Sequence, residues 1–225
     1  MNQHLLIMGT RYTPLKDLIE AAVDHDYRVT TAPTGDQDFD EYLRNSSPET
    51  VTQIQLRLGS TLSTRVAVAA ALHTPDEPEN QIRDVILVVS PPQEARGFHE
   101  IPPGEMEQLL QENLLGMLYV LRETMAVLTA QGQGSITVVL DEHSTDVLPA
   151  LGSGVLYGIQ RTVEGMFRSY QNKLIVIQGV RSQCDNQEML ARYMFDEYFA
   201  RPEKNGYRWT KFTGRSGLFT KKGMQ

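Results

Sequence analysis

The feature that most constrains this chain is its alternation of short, unbroken apolar runs with longer amphipathic segments. The run Asp84-Val85-Ile86-Leu87-Val88-Val89 is the sharpest case, because its β-branched side chains show no polar alternation. Such a run suits a central strand buried on both faces, as in a parallel sheet covered by helices on each side. Leu5 to Met8, Tyr27 to Thr31, Ser135 to Leu140 and Leu174 to Gln178 repeat the theme, with Val51 to Leu58 as an alternating strand and Tyr207 to Phe212 as a terminal one. Between them, apolar positions recur at helical spacing: Leu15, Leu18, Ile19 and Val23 predict a helix over 15–25, and the alanine-rich stretch from Thr61 to Leu72 predicts another.

The longest helical pattern runs from Glu105 to Ala130, with Met106, Leu109, Leu110, Leu114, Met117, Leu121, Thr124 and Leu128 along one face. Gly132 and Gly134 stop it. Further helices are expected over 40–44, 153–170 and 186–200, while Pro33 with Gly35, the acidic stretch from His73 to Asn80, and the Pro91-Pro92 pair read as connections. With 225 residues and 40% hydrophobic content, the chain can bury one sizeable core, so a single domain over 1–225 is expected.

Charge and cysteine usage exclude some functions. A net charge of −7 opposes phosphate-backbone binding, which excludes a nucleic-acid role, although residues from Arg201 onward carry +6 against −13 for the rest. That basic end is either a solvated tail or a contact for an acidic subunit face or a phosphate. The one cysteine, Cys184, allows neither an internal disulfide nor a multi-cysteine metal site and is not read as reactive. No leader pattern and no apolar stretch of the ~20 residues needed to span a bilayer is present, so a cytoplasmic protein without membrane contact is expected.

The order Gly9 after a first strand, Asp84 to Val88, Asn113-Leu114-Leu115-Gly116, Gly134-Ser135-Ile136 and Val163-Glu164-Gly165-Met166-Phe167-Arg168-Ser169 resembles the short-chain dehydrogenase/reductase (SDR) family over nearly the whole chain. The resemblance implies an α/β, Rossmann-like doubly wound parallel sheet with helices on both faces. It also implies NAD or NADP at the carboxyl ends of the first strands, and hydride transfer assisted by an Asn, Ser, Tyr and Lys set. The long helix and the following catalytic helix would pack against a second subunit, which here gives a homodimer through the helices over 105–130 and 153–170.

Position by position, the resemblance is uneven. The family's glycine-rich turn, Thr-Gly-x-x-x-Gly-x-Gly, becomes Met8-Gly9-Thr10-Arg11-Tyr12-Thr13-Pro14-Leu15, in which only Gly9 is kept. Glycine matters there because the diphosphate must approach the backbone at a helix N-terminus. Gly9, Thr10, Arg11 and Thr13, with Ser90 after the fourth strand, are the candidate cofactor-binding residues; Arg11 could pair with a phosphate or lie in an exposed loop. The family's Asn-Asn-Ala-Gly wall becomes Val88-Val89-Ser90-Pro91, and its Pro-Gly pair beyond the sixth strand becomes Gln178-Gly179.

The catalytic candidates are Asn113, Ser144, Tyr157 and Arg161. Asn113 lies on the apolar stripe of the long helix, where it is either a relay residue or an amide that kinks the helix. A catalytic tyrosinate needs a cation one helical turn away to lower its pKa, and Tyr157 with Arg161 has that spacing. An ungapped alignment on Val163-Glu164-Gly165 instead puts Leu156 at the tyrosine and Gln160 at the lysine. The serine falls on Asp141 counted from Gly134, or on Ser144 counted from Tyr157; Asp141-Glu142-His143 reads either as a polar strand end or as acid/base or metal chemistry, with no metal site expected. Two functions remain in view: an SDR-like protein that has lost hydride transfer and serves binding or assembly, and a divergent NAD(P)-dependent carbonyl reductase with Tyr157 as general acid. A small-molecule sensor using the old cleft is indistinguishable from the first on sequence.

Overall fold

The computed structural model describes residues 3–10, 15–72, 82–92, 94, 96–142, 149–171, 174–199 and 206–214. The strands are β1 (His4–Gly9), β2 (Arg28–Thr31), β3 (Val51–Gln53), β4 (Asp84–Val89), β5 (Gly134–Asp141), β6 (Ile175–Ser182) and β7 (Trp209–Phe212). They form one sheet in the order β3-β2-β1-β4-β5-β6-β7, and every pairing is parallel. Parallel neighbours need crossover connections, which the helices α1 (Leu15–Asp24), α2 (Gln37–Asn45), α3 (Thr61–Leu72), α4 (Pro103–Leu110), α5 (Gly116–Gln131), α6 (Ala150–Tyr170) and α7 (Gln187–Arg192) supply. The expected doubly wound architecture is therefore the observed one.

The sheet separates two cores. One lies under α3, α5 and α6, where Leu6, Val85, Leu87, Ile136 and Val138 meet Val68, Val120, Leu121, Val155 and Val163. The other lies under α1 and α7, where Leu5, Ile7, Ile86 and Val88 meet Leu18, Ile19, Leu190 and Met194. Alternate residues of β4 go to opposite cores, which is why that strand contains no polar position between Val85 and Val89. Because β1 pairs with both β2 and β4, the chain leaves β1 in one direction and returns to build the other half, and the switch point lies at the carboxyl ends of β1 and β4.

Four expectations change, the simplest being the helix expected over 186–200, which is α7 continued by a π-type turn at Tyr193–Tyr198. The strand expected over 51–58 stops at Gln53, because its partner β2 ends at Thr31 and offers one last bond, from Ile54 N to the Thr31 carbonyl (2.9 Å). The strand expected to end at Gln178 runs on to Ser182, since β5 and β7 pair with it that far. Gln178-Gly179 is accordingly mid-strand rather than a turn, and its glycine has another reason: a Cβ on Gly179 would meet Cε3 of Trp209 at 2.2 Å. The helix expected over 105–130 spans 103–131 but contains a π-type turn, Gln111–Leu115, between α4 and α5. The wider turn rotates the stripe, so Met117, Leu121, Thr124 and Leu128 are buried while Met106, Leu109 and Leu110 are only half-buried. The basic stretch from Arg201 lies outside the described residues except for Arg208 and Lys211.

Candidate functional site

Crevices beyond the carboxyl ends of parallel strands, at a switch point, are where this architecture binds ligands. Here those ends are laced together by side chains. Thr10, directly after β1, is fully buried; its N–H donates to the Val88 carbonyl (3.3 Å) and its Oγ1 donates to the Ser90 carbonyl (3.0 Å) while accepting from Ser90 N (3.2 Å). Ser90 Oγ in turn donates to Oδ2 of Asp141 (2.9 Å), the last residue of β5. Ser90 and Asp141 are both buried, so a carboxylate sits at one of the two positions considered for the serine, held by the residue that follows β4. Charge-assisted bonds of this kind are about twice as strong as neutral ones.

Glu142 follows, also buried, and takes the opposite side of the strand end. Its carboxylate accepts from Arg181 Nε (2.6 Å) and Nη2 (3.1 Å), a two-pronged pair between the ends of β5 and β6, and from Gln183 Nε2 (3.4 Å). That bond raises the Arg181 pKa against the opposing effect of burial, and Tyr157 and Glu164 lie close enough to add to it. The guanidinium is thus permanently charged and already committed to Glu142.

Helix α6 arrives with Val155, Leu156, Ile159, Val163 and Phe167 facing the core, a spacing that gives one buried stripe. Leu156 is 3% exposed, whereas Tyr157 beside it is 58% exposed. Gln160 is buried; its Nε2 donates to Glu164 Oε1 (2.8 Å) and its Oε1 has no hydrogen-bond partner among the described residues. Arg161 lies on the outer face and donates from Nη1 to Glu164 Oε2 (2.7 Å). The Gln160 hydrogen bond, and then the Arg161 bond and charge, hold the Glu164 carboxyl below its ordinary pKa. Tyr157 and Arg161 therefore share the outer stripe, with the cation neutralised by Glu164 rather than turned to the phenol.

Asn113 is buried in the π-type turn, and its Nδ2 donates to the Leu109 carbonyl one turn back (2.9 Å). A side chain inserted into the helical ladder in this way is a recognised cause of such irregularities. Asn113 also lines a cavity of about 330 Å³ with Pro33, Thr34 and Gly35 after β2, and Leu56, Arg57 and Leu58 after β3. A dinucleotide's ribose is normally held by an acid at the end of the second strand. Here Asp36 caps α2 by accepting from Phe39 N (2.9 Å), and Asp40 accepts from Thr34 N (3.1 Å).

Of the sequence candidates, Thr10 and Ser90 are brought into direct contact, Gly9 ends β1 beside Val88, Asn113 bonds within its own helix, and Tyr157 and Arg161 lie on the exposed face of α6. Arg11, Thr13, His143 and Ser144 lie outside the described residues. No group of three or more His, Cys, Asp or Glu side chains that could hold a metal ion occurs among the described residues. Buried side chains tie the ends of β1, β4 and β5 together, and residues 11–14, the turn that would meet a diphosphate, lie outside the described residues. Sequence reading missed the Ser90–Asp141 bond and the Arg181–Glu142 pair. Each partner was visible as a polar residue at a strand end, but the pairing depends on strand order. No helix among the described residues is long and apolar enough to cross a membrane.

No protein-family model matches the chain, and no curated protein matches it in sequence. Solved structures resemble it closely in fold. A gluconate 5-dehydrogenase from Burkholderia cenocepacia J2315, in complex with NADP and tartrate, has a TM-score of 0.69 at 13% identity, covering 95% of each chain. A metagenomic short-chain oxidoreductase in complex with NADP has a TM-score of 0.74 at 11% identity, covering 94% of this chain and 97% of that one. ElxO with NADP bound has a TM-score of 0.73 at 12% identity, covering 95% and 98%.

Proposed function

Starting from a chain with the fold of the short-chain dehydrogenases/reductases, we propose that it has lost ordinary hydride transfer and acts as a binding or assembly module. The observation that carries this reading is the Thr10–Ser90–Asp141 network, in which the buried Thr10 hydroxyl bonds the Ser90 backbone and the Ser90 hydroxyl bonds Asp141 across the strand ends. The buried Leu156 and Gln160 of α6 agree with it, because neither an alkyl chain nor a neutral amide can exchange a proton with a carbonyl oxygen. The test is thermal unfolding with NAD, NADH, NADP and NADPH, each at millimolar concentration. A bound dinucleotide at ~100 times its dissociation constant would add about 2.7 kcal/mol, or roughly 5–10 °C for a chain of this length. No shift with any of the four is expected, and a shift of that size overturns the proposal.

One observation favours the second reading, a divergent NAD(P)-dependent reductase: Tyr157 is exposed and within electrostatic reach of Arg181. If it holds, Tyr157→Phe abolishes carbonyl reduction in the presence of NADPH while leaving stability unchanged. As partner we infer a second copy of this chain. The groove between α5 and α6, about 440 Å³, is lined mainly by apolar side chains, among them Leu118, Met125, Met166 and Tyr170, with Arg122, Thr129 and Thr162 as its polar members, a mixture suited to a matching helix pair. Sedimentation at micromolar concentration should give a dimer, and a monomer there would refute it.

A further inference from the structure

A second cavity, about 270 Å³, lies at the amino ends of the strands, away from the switch point. Leu5 of β1 and Val176 of β6 contribute its apolar sheet side, three aromatic rings, Tyr27, Phe195 and Phe199, contribute the opposite apolar wall, and Gln3 adds an amide to the polar groups of β4, β5 and β6. The rings form one cluster, with centroids 5.7 Å apart for Tyr27 and Phe195 and 5.4 Å apart for Phe195 and Phe199.

Two polar groups in this apolar setting point to a ligand. Gln178 is 2% exposed; its Nε2 donates to Thr137 Oγ1 (2.8 Å), while its buried Oε1 has no hydrogen-bond partner among the described residues. A buried acceptor left unmade costs free energy, and an occupant's donor would satisfy it. Asp84 accepts from Ser135 Oγ (2.5 Å) through Oδ1, and no cationic partner reaches it among the described residues. No Lys or Arg lines the cavity, so its lining carries one formal negative charge from Asp84. Burial, and then the Asp84 charge, raises the Tyr27 pKa and keeps that phenol neutral.

Register sets the spacing of the two groups. Asp84 is level with Ser135 and Ser135 with Val176, so Gln178 is two strands across and two residues further on. With strands ~4.8 Å apart and ~3.3 Å per residue, the two Cα atoms are roughly 12 Å apart, too far for a single ammonium to serve both side chains. We propose that this cavity binds a small organic amine whose ammonium pairs with Asp84, whose apolar body packs against Tyr27, Phe195 and Phe199, and whose second donor, a hydroxyl, reaches Gln178 Oε1. Aromatic faces attract cations, which adds to the carboxylate's pull. The volume lies just below the roughly 300 Å³ at which drug-sized sites begin, so the occupant is a compact molecule. The site is independent of the proposed function, since it shares no residue with the strand ends discussed there.

Tyramine is the probe, titrated calorimetrically into the full-length protein beside two relatives: phenethylamine, which lacks the hydroxyl, and the neutral alcohol in which a hydroxyl replaces the amine. Tyramine should bind saturably with Kd below about 1 mM, phenethylamine several-fold more weakly, and the neutral alcohol at least about tenfold more weakly. Asp84→Asn, which still accepts from Ser135, should weaken tyramine by a similar factor, and Gln178→Leu should remove the advantage of tyramine over phenethylamine. The ligand series on the unaltered protein stands even if a variant fails to fold. Absence of saturable binding up to about 10 mM overturns the proposal, as does equal affinity for tyramine and the neutral alcohol.

Discussion

Gly179→Ala should break the packing that joins the last strand to the sheet. Gly179 lies in β6 level with Trp209 of β7, and an added methyl would meet the indole at 2.2, 2.3 and 2.9 Å, well inside ordinary contact. The ring cannot yield without disturbing its edge contact with Phe167, at 5.6 Å and 65°. Overpacking costs about 1–3 kcal/mol, loss of an aromatic pair adds roughly 0.5–1.5 kcal/mol, and the backbone preference of alanine over glycine returns about 0.5–1 kcal/mol. The net lies between about 0.5 and 4 kcal/mol with a midpoint of ~2, which at the midpoint is a fall in Tm of roughly 4–8 °C for 225 residues. Trp209 is the sole tryptophan, so its emission reports the displacement directly as a red shift, alongside the loss of stability by circular dichroism. In a Trp209→Leu background the same glycine substitution should cost less than about 1 kcal/mol, since the coupling partner is gone. A Tm within about 1 °C of the parent with an unmoved emission maximum would refute the reasoning.

Three further outcomes are expected. Ser90→Ala removes the hydroxyl that donates to buried Asp141 and should cost about 1.5–3 kcal/mol in denaturant unfolding; a loss below ~0.5 kcal/mol would show that the strand ends are not tied as described. Glu142→Gln leaves the Arg181 guanidinium without its charge partner, and because Arg181 is about one-third exposed the loss should be about 2 kcal/mol rather than the 3–5 of a fully buried pair, as urea titration would measure. The lowered pKa of Glu164 means that its contribution is present above the ordinary carboxyl value and lost as pH falls through the folded one. Glu164→Gln should therefore flatten the acid limb of stability below about pH 4.5, by under ~1 kcal/mol, in unfolding curves taken from pH 3 to 7.

The parts of the fold that local pattern controls were legible. Asp84–Val89 and Thr61–Leu72 match the expected limits because hydrophobic runs and helical spacing are carried by neighbouring residues. The misread limits depend on partners elsewhere: β3 stops where β2 stops, and β6 continues because β5 and β7 do. For the π-type turn, the sequence signal is the amide of Asn113 on an apolar stripe, which is equally compatible with a relay residue, and the turn shifts burial along the stripe by changing the phase of the helix. At the site, Asp141 and Ser90 were each noticed as departures, yet their bond spans 51 positions and needs the β4–β5 adjacency. The choice between Leu156 and Tyr157 is one of helix face, and the buried stripe Val155, Leu156, Ile159, Val163 assigns Leu156 to the core.

The sheet's margins bear on how copies of the chain can meet. Its two edge strands, β3 and β7, have three and four residues, so each offers only a short row of unpaired backbone groups. Short edges resist the strand-to-strand addition that leads from one sheet to an open-ended fibre. If copies of the chain associate, the helical faces offer the wider surface, and a two-fold contact there, the same patch on both copies, would close on itself instead of propagating.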